Sequence, residues 1–200
     1  MELMIVRHSM SVSNHADLIS GADNDVDLST AGVQYAEKVR DAYDWGKYDT
    51  VYASPMLRAR RTAAIITDNQ QPLQVDDRLA ELHFGEWEGT SADPIRVAHP
   101  EIFDYTGMFN EKYVDFAPGA ESHAQLLARV TAFLADLKQT HPNDEVLLVC
   151  HGVTIRMLFV ALFGRGLDEF GSIANLALNE VHLDAANDFA PRLLQFNRIL

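Results

Sequence analysis

The chain of 200 residues has one cysteine, Cys150, and few basic residues: 16 Lys+Arg stand against 29 Asp+Glu, a formal net charge of −13 with histidines neutral. A lone thiol excludes an internal disulfide framework and suits a reducing compartment. A surface this acidic repels phosphate backbones and anionic lipids, which disfavours nucleic-acid and membrane-surface roles. Long apolar runs are also missing. The stretch Leu3–Val6 is cut off by Arg7 and His8, too short for a signal h-region or a membrane span. The eight histidines include no HExxH and no pair at four-residue helical spacing, so a metallohydrolase is weakly supported. A serine hydrolase lacks its G-x-S-x-G turn. No repeat, low-complexity tract or linker divides the chain. One domain over residues 1–200 is expected, cytoplasmic, as a monomer or homo-oligomer.

What the chain does have is ordinary core material, 48% hydrophobic residues, arranged in alternating patterns. Residues 3–8 (LMIVRH) form an apolar run that predicts a strand buried on both faces. A polar loop covers 9–27, and Ser29 opens a helix through Tyr43. TVYASP (50–55) predicts a second strand, MLRARRTAAIITD a second helix, and LQVD (73–76) a short strand. Residues 86–120 lose periodicity and are expected to form a lid-like insertion. A helical pattern returns over 121–139. EVLLVCH (145–151) reads as a buried strand, GVTIRMLFVALF (152–163) as a helix, and strands are expected near 177–184 and 191–197. This alternation predicts an α/β three-layer sandwich with a mostly parallel sheet flanked by helices.

Three of these apolar strands end in polar groups: Arg7-His8, Ser54 and His151. In an open parallel sheet the carboxyl ends of strands line the ligand crevice. If the three strands are neighbours, His8 faces His151 and Arg58 enters from the following helix. A single histidine at such a place is more often a satisfied core residue; two at the ends of the most apolar strands favour a site.

RHSMSVSN resembles the RHG-containing signature of the histidine phosphatase superfamily, the group of phosphoglycerate mutase-like proteins. DLSTAGVQYA, YASPMLRARRTA, LAELHFGEWEG, PGAES and VCHGVTIR resemble further segments of that family, in the same order, from about residue 3 to residue 156. The resemblance implies a phosphomonoester hydrolase with a phosphohistidine intermediate and no metal or cofactor. His8 would attack phosphorus, and Arg7, Arg58 and His151 would hold the phosphoryl oxygens. Glu81 would protonate the leaving alcohol and then activate water. Asn14, Ser9, Ser54 and Gly152 are candidate phosphate contacts, although Asn14 also suits a turn and Ser54 equally suits a helix cap. Glu86 and Glu88 compete with Glu81 for the acid, and Arg60 and Arg61 with Arg58. Ser9 and Met10 replace the family's usual glycine and acidic or amide residue, and Ala120 its second glycine in PGGES.

Other chemistries are weaker. Cys150 and Arg156 have the spacing of a cysteine phosphatase loop, but Val153 and Ile155 suit that wrapped loop poorly and Cys150 reads as a small core residue. A non-catalytic phospho-ligand module conflicts with the joint presence of nucleophile, acid and cations. Within the family a cofactor-dependent mutase is the runner-up. Residues 86–120 hold seven acids against Arg96 and Lys112, which suits a small monophosphate on an uncharged or cationic group better than a substrate with several anions.

Overall fold

Leu3 to Val6 are apolar at every position, so both faces of this strand need cover, and the chain supplies it with helices on two sides. The computed structural model describes residues 1–15, 18–23 and 25–200. Its strands are β1 (Glu2–Arg7), β2 (Thr50–Ala53), β3 (Leu73–Val75), β4 (Glu145–Cys150), β5 (Leu178–Asp184) and β6 (Ala190–Arg198). They form one sheet in the order β3-β2-β4-β1-β5-β6. The first four run parallel, while β5 and β6 pair antiparallel. The helices are α1 (Val12–His15), α2 (Thr30–Asp41), α3 (Leu57–Ile66), α4 (Ala92–Ala98), α5 (His123–Thr140) and α6 (Gly152–Phe163).

The strand period of two sorts the core into two layers. Leu3, Ile5, Val146 and Leu148 pack with Leu126, Val130 and Phe133 of α5 and with Leu158 and Phe159 of α6. Met4, Val6, Leu147 and Val149 pack with Ala36 and Val39 of α2 and with Ala59, Ala63 and Ile66 of α3. Ser29 caps α2 by accepting from Gly32 N, and Ser122 forms a capping box with Gln125 at the start of α5. No helix among the described residues is long and apolar enough to cross a membrane.

Two glycines explain motif positions that a strand or helix pattern does not. A Cβ on Gly32 would stand 2.0 Å from Met10 O, so glycine lets α2 close against the loop after β1. Gly85 has φ +58°, and its Cβ would meet Pro118 O at 2.0 Å. There Glu86 N donates to Pro118 O, joining the start of the 86–120 segment to its end. That segment is built from 3₁₀ turns and α4 around a cluster of Phe84, Trp87, Phe103, Phe109 and Tyr113.

Candidate active site

β2, β4 and β1 are adjacent, with Ala53 opposite Val149 and Arg7 opposite Cys150. The next residue of each strand therefore arrives at one rim. His8 N donates to Cys150 O at 2.9 Å and Ser54 N to Val149 O at 3.0 Å, which brings His8, Ser54 and His151 together. The imidazole centroids of His8 and His151 lie 5.1 Å apart, and both rings are buried.

A hydrogen bond fixes the tautomer of His8. His8 Nδ1 lies 2.6 Å from Ser9 O and donates to it, which leaves a lone pair on Nε2. Ser54 Oγ accepts from Met56 N at 3.3 Å and lies 2.6 Å from His151 Nε2. The buried His151 Nδ1 has no hydrogen-bond partner among the described residues. Burial pushes both imidazoles well below their ordinary range, with the positive fields of Arg7 and Arg58 adding to it for both rings. His8 is thus a neutral ring with an available lone pair. His151 is likewise an uncharged ring rather than the positive donor that a protonated one would supply.

Arg7 Nη1 donates to Ile173 O at 2.6 Å, and its buried Nε has no hydrogen-bond partner among the described residues. Arg58, in the first turn of α3, is fully buried and donates from Nη2 to Gly21 O at 2.9 Å. Desolvation lowers both guanidinium pKa values, and the nearby charge of Glu81 offsets part of this in each. Arg60 is exposed and Arg61 pairs with Asp27, so of the three neighbouring arginines only Arg58 faces the rim. Thr62, one turn further on, donates to Arg58 O and accepts from Ser9 N.

Glu81 sits at the N-terminus of α6. Its Oε1 accepts from Leu82 N, Thr154 N and Thr154 Oγ1 at 3.0–3.1 Å, and Oε2 accepts from Val153 N at 3.2 Å. Glu86 is exposed, and Glu88 instead accepts from Asp23 N and Phe84 N. Arg129 of α5 holds the loop that carries Glu81: its Nη atoms donate to Arg78 O, Ala80 O and Glu81 O. Its Nε and Nη2 pair with both oxygens of Glu121, which also accepts from His83 N. Neither Arg129 nor Thr154 announces itself in the sequence, because each acts on backbone or carboxylate far away in the chain.

A cleft of about 290 Å³ opens beside this rim, lined among others by Arg7, Asn14, Glu81 and Gly152; His8, Arg58, His151 and Ser54 are not among its lining residues. Asn14 Oδ1 accepts from Ser11 N and Oγ, which leaves its Nδ2 as the group offered to the cleft. Gly152 begins α6 beside Arg7, its Cβ position 3.6 Å from Arg7 Nε. Ser9 does not line the cleft: it is fully buried and its hydroxyl donates to Gly32 O at 2.7 Å. Ser54 likewise turns its hydroxyl to His151, so it acts on that ring and is not the cap of α3, a place held by Met56. Cys150 is fully buried in the core shared with α5 and α6, and burial pushes its thiol pKa up, so it does not face the cleft. No group of three His, Cys, Asp or Glu among the described residues is placed to hold a metal ion.

The charge of the 86–120 segment is distributed differently from its sequence count. Of its nine charged residues only Arg96 lines the cleft; Asp104 and Glu111 line a neighbouring depression with Asp168 and His123. Asp104 is tied to its own turn by Thr106 N, Thr106 Oγ1 and Met108 N. The acidic wall expected from counting charges is therefore absent from the cleft, because α4 presents Arg96 to it while none of the segment's seven acids lines it.

Fold and rim together define a doubly covered α/β protein with an anion-binding cleft at the carboxyl ends of its parallel strands. The chain belongs to the histidine phosphatase superfamily: the model of that superfamily's branch 1 matches residues 3–197. It is 32% identical over 185 residues to a putative phosphoserine phosphatase 2 of Hydrogenobacter thermophilus, covering 91% of this chain and 89% of that protein. It is 31% identical over 168 residues to a 2,3-bisphosphoglycerate-dependent phosphoglycerate mutase of Rhizobium meliloti, covering 80% and 78%. The crystal structure of phosphoserine phosphatase from Entamoeba histolytica with 3-phosphoglyceric acid shares the fold, with a TM-score of 0.81 at 22% identity over 99% of this chain and 97% of that one.

Proposed function

We propose that this chain is a phosphomonoester hydrolase that acts on a small organic monophosphate through a phosphohistidine. His8 Nε2 attacks phosphorus and the bond to the ester oxygen breaks. Arg7, Arg58, His151 Nδ1, Asn14 and the N-terminus of α6 at Gly152 hold the phosphoryl oxygens. Glu81 gives its proton to the departing alkoxide and then takes one from the water that attacks phosphohistidine, returning His8 to its neutral state. The observation that carries this reading is the pairing of a neutral His8, with its lone pair on Nε2, and a buried His151 Nδ1 without a partner among the described residues, the two ring centroids 5.1 Å apart. The relatives named as phosphatases support hydrolysis over transfer. Residues 86–120 act as a cap, with Arg96, Phe103, Met108 and Phe109 forming one wall of the cleft. The single buried thiol supports a cytoplasmic setting.

Trapping an acid-labile phosphoryl adduct on the intact protein, and losing it together with turnover in His8→Ala, tests the mechanism. Turnover that persists in His8→Ala refutes it. The mutase reading draws on the Rhizobium meliloti relative. It predicts interconversion of 2- and 3-phosphoglycerate without net phosphate release, which a phosphate assay separates directly.

A further inference from the structure

The ladder between β1 and β5 stops at the pair Val6–Leu178, before the rim is reached. Past that pair the carbonyls of Arg7 and His8 have no strand beside them on the β5 side, and a backbone carbonyl taken out of water needs a partner. Residues 172–176 supply it. Leu176 N donates to Arg7 O at 3.0 Å and Asn175 Nδ2 to His8 O at 2.8 Å, while Ile173 O accepts from Arg7 Nη1 at 2.6 Å.

Two left-handed residues shape this loop. Leu176 has φ +56° and is fully buried, a backbone conformation that a bulky side chain adopts only where its surroundings enforce it. Asn197 of β6, at φ +52°, ties the loop down: its Oδ1 accepts from Ala174 N at 2.8 Å and its Nδ2 donates to Ser172 O at 3.1 Å. The side chain thus pairs with the loop as a strand backbone would. Asn197 N donates at 2.8 Å to Oδ1 of the fully buried Asn179, whose Nδ2 donates to Ile5 O and Ala177 O. Three amide side chains therefore join β6 to the end of β1.

The group they reach governs the nucleophile. The peptide unit between His8 and Ser9 is held at both ends, its oxygen by Asn175 Nδ2 and its N–H by Thr62 Oγ1 at 3.0 Å. Ser9 O, the acceptor for His8 Nδ1, lies one peptide further on, so rotation of that plane moves it relative to the imidazole. Without that acceptor the ring proton is free to reside on Nε2, where it occupies the lone pair needed for attack. We propose that Asn175 is a positioning residue for the nucleophile, pinning the His8–Ser9 peptide so that the imidazole keeps its proton on Nδ1. Asn197 acts one step behind it by pinning the loop that presents Asn175. This deepens the phosphohistidine reading of the same site and rests on it.

The test uses the full chain with Asn175→Ala, Asn175→Asp, which keeps the shape and loses the donor, and Asn197→Ala. A ring displaced by up to about 1 Å lowers kcat for phosphate release by about 10- to 100-fold in both Asn175 variants. KM and the calorimetric affinity for inorganic phosphate, which the guanidiniums set, stay within about threefold. Asn197→Ala also loosens Ile173 O, the acceptor of Arg7, and weakens phosphate binding as well. Nitrogen NMR of protein labelled in its imidazole rings reads the tautomer directly: Nδ1–H for His8 in the wild type, a mixture in Asn175→Ala. Should the truncation prevent folding, Asn175→Asp carries the same readings. A folded Asn175 variant with wild-type kcat, or a His8 tautomer unchanged in both, overturns the proposal. A tautomer shift in a chain whose wild type releases no phosphate supports this inference and sinks the phosphatase. An active wild type matched by Asn175→Ala does the reverse.

Discussion

Arg129→Ala separates the fold's hold on Glu81 from the chemistry of Glu81 itself. In the native protein Arg129 makes five hydrogen bonds, two to Glu121 and one each to the carbonyls of residues 78, 80 and 81. The ion pair is largely buried, with side-chain exposures of 19% and 17%. Truncation leaves Glu121 without its cation and three carbonyls without their donor. Removing one partner of a buried pair costs about 3–5 kcal/mol, and the residual exposure here places the loss near about 3 kcal/mol. For a domain of this size that is a fall of about 6–12 °C in Tm. The loop then relaxes around Glu81, and a displacement of about 1 Å in a catalytic group lowers turnover by about 100-fold. Circular dichroism melts and steady-state phosphate release, both at a temperature well below the mutant's Tm, measure the two effects separately. The signature is a kcat loss that persists in fully folded protein and is smaller for p-nitrophenyl phosphate, whose leaving group needs no proton. A folded Arg129→Ala enzyme with wild-type kcat on an alkyl phosphate refutes the positioning argument, whatever its Tm.

Other outcomes follow from the same site. His8 and His151 are both held below the ordinary imidazole value of 6.5, so the unfolded chain takes up protons before the folded one does. Their contribution is whole above about pH 6.5 and is lost as pH falls below it, at up to about 1.4 kcal/mol per pH unit for each ring; urea melts of His151→Gln should show a shallower acid-side slope than wild type. Glu81→Gln keeps an oxygen for the Thr154 donors but sets an amide against Val153 N, and it should lower kcat on alkyl phosphates by about 10²–10⁴-fold while phosphate binding, read by calorimetry, persists. Arg58→Lys loses the planar fork in a fully buried place, and kcat/KM should fall more than about tenfold although the charge is kept. Cys150→Ser, in the core behind the rim, should lower the denaturation midpoint and leave kcat intact; an inactive but folded variant would revive the cysteine mechanism.

The strand and helix boundaries were readable because period and punctuation agree at each element. LMIVRH and EVLLVCH are apolar at every step and stop at a charged or titratable residue, and they appear as the central strands β1 and β4. Helix α6 spans the residues that its apolar pattern marks, 152–163. The loop after β1 contains the short helix α1 within a stretch read as irregular, since four residues carry too little periodicity to register. The pairing of His8 with His151 needed only that β1 and β4 be neighbours, and the order of the sheet supplies that. Glu81, Glu86 and Glu88 were competitors in the sequence; the fold sets Glu81 against the backbone at the start of α6, leaves Glu86 exposed and ties Glu88 to Asp23 N and Phe84 N.

Composition, alternation and motif order by themselves determined the α/β class, the rim residues and the family, because each depends on local spacing that every copy of the fold must satisfy. Tertiary structure alone decided which way side chains point and what they meet. It set the hydroxyl of Ser9 on Gly32 O and that of Ser54 on His151, neutralised His151 by burial, clamped the Glu81 loop with Arg129, and placed Arg96 of an acidic segment on the cleft. Charge counted along a chain has no direction; the field inside a cleft depends on which of those charges face it and how dry they are.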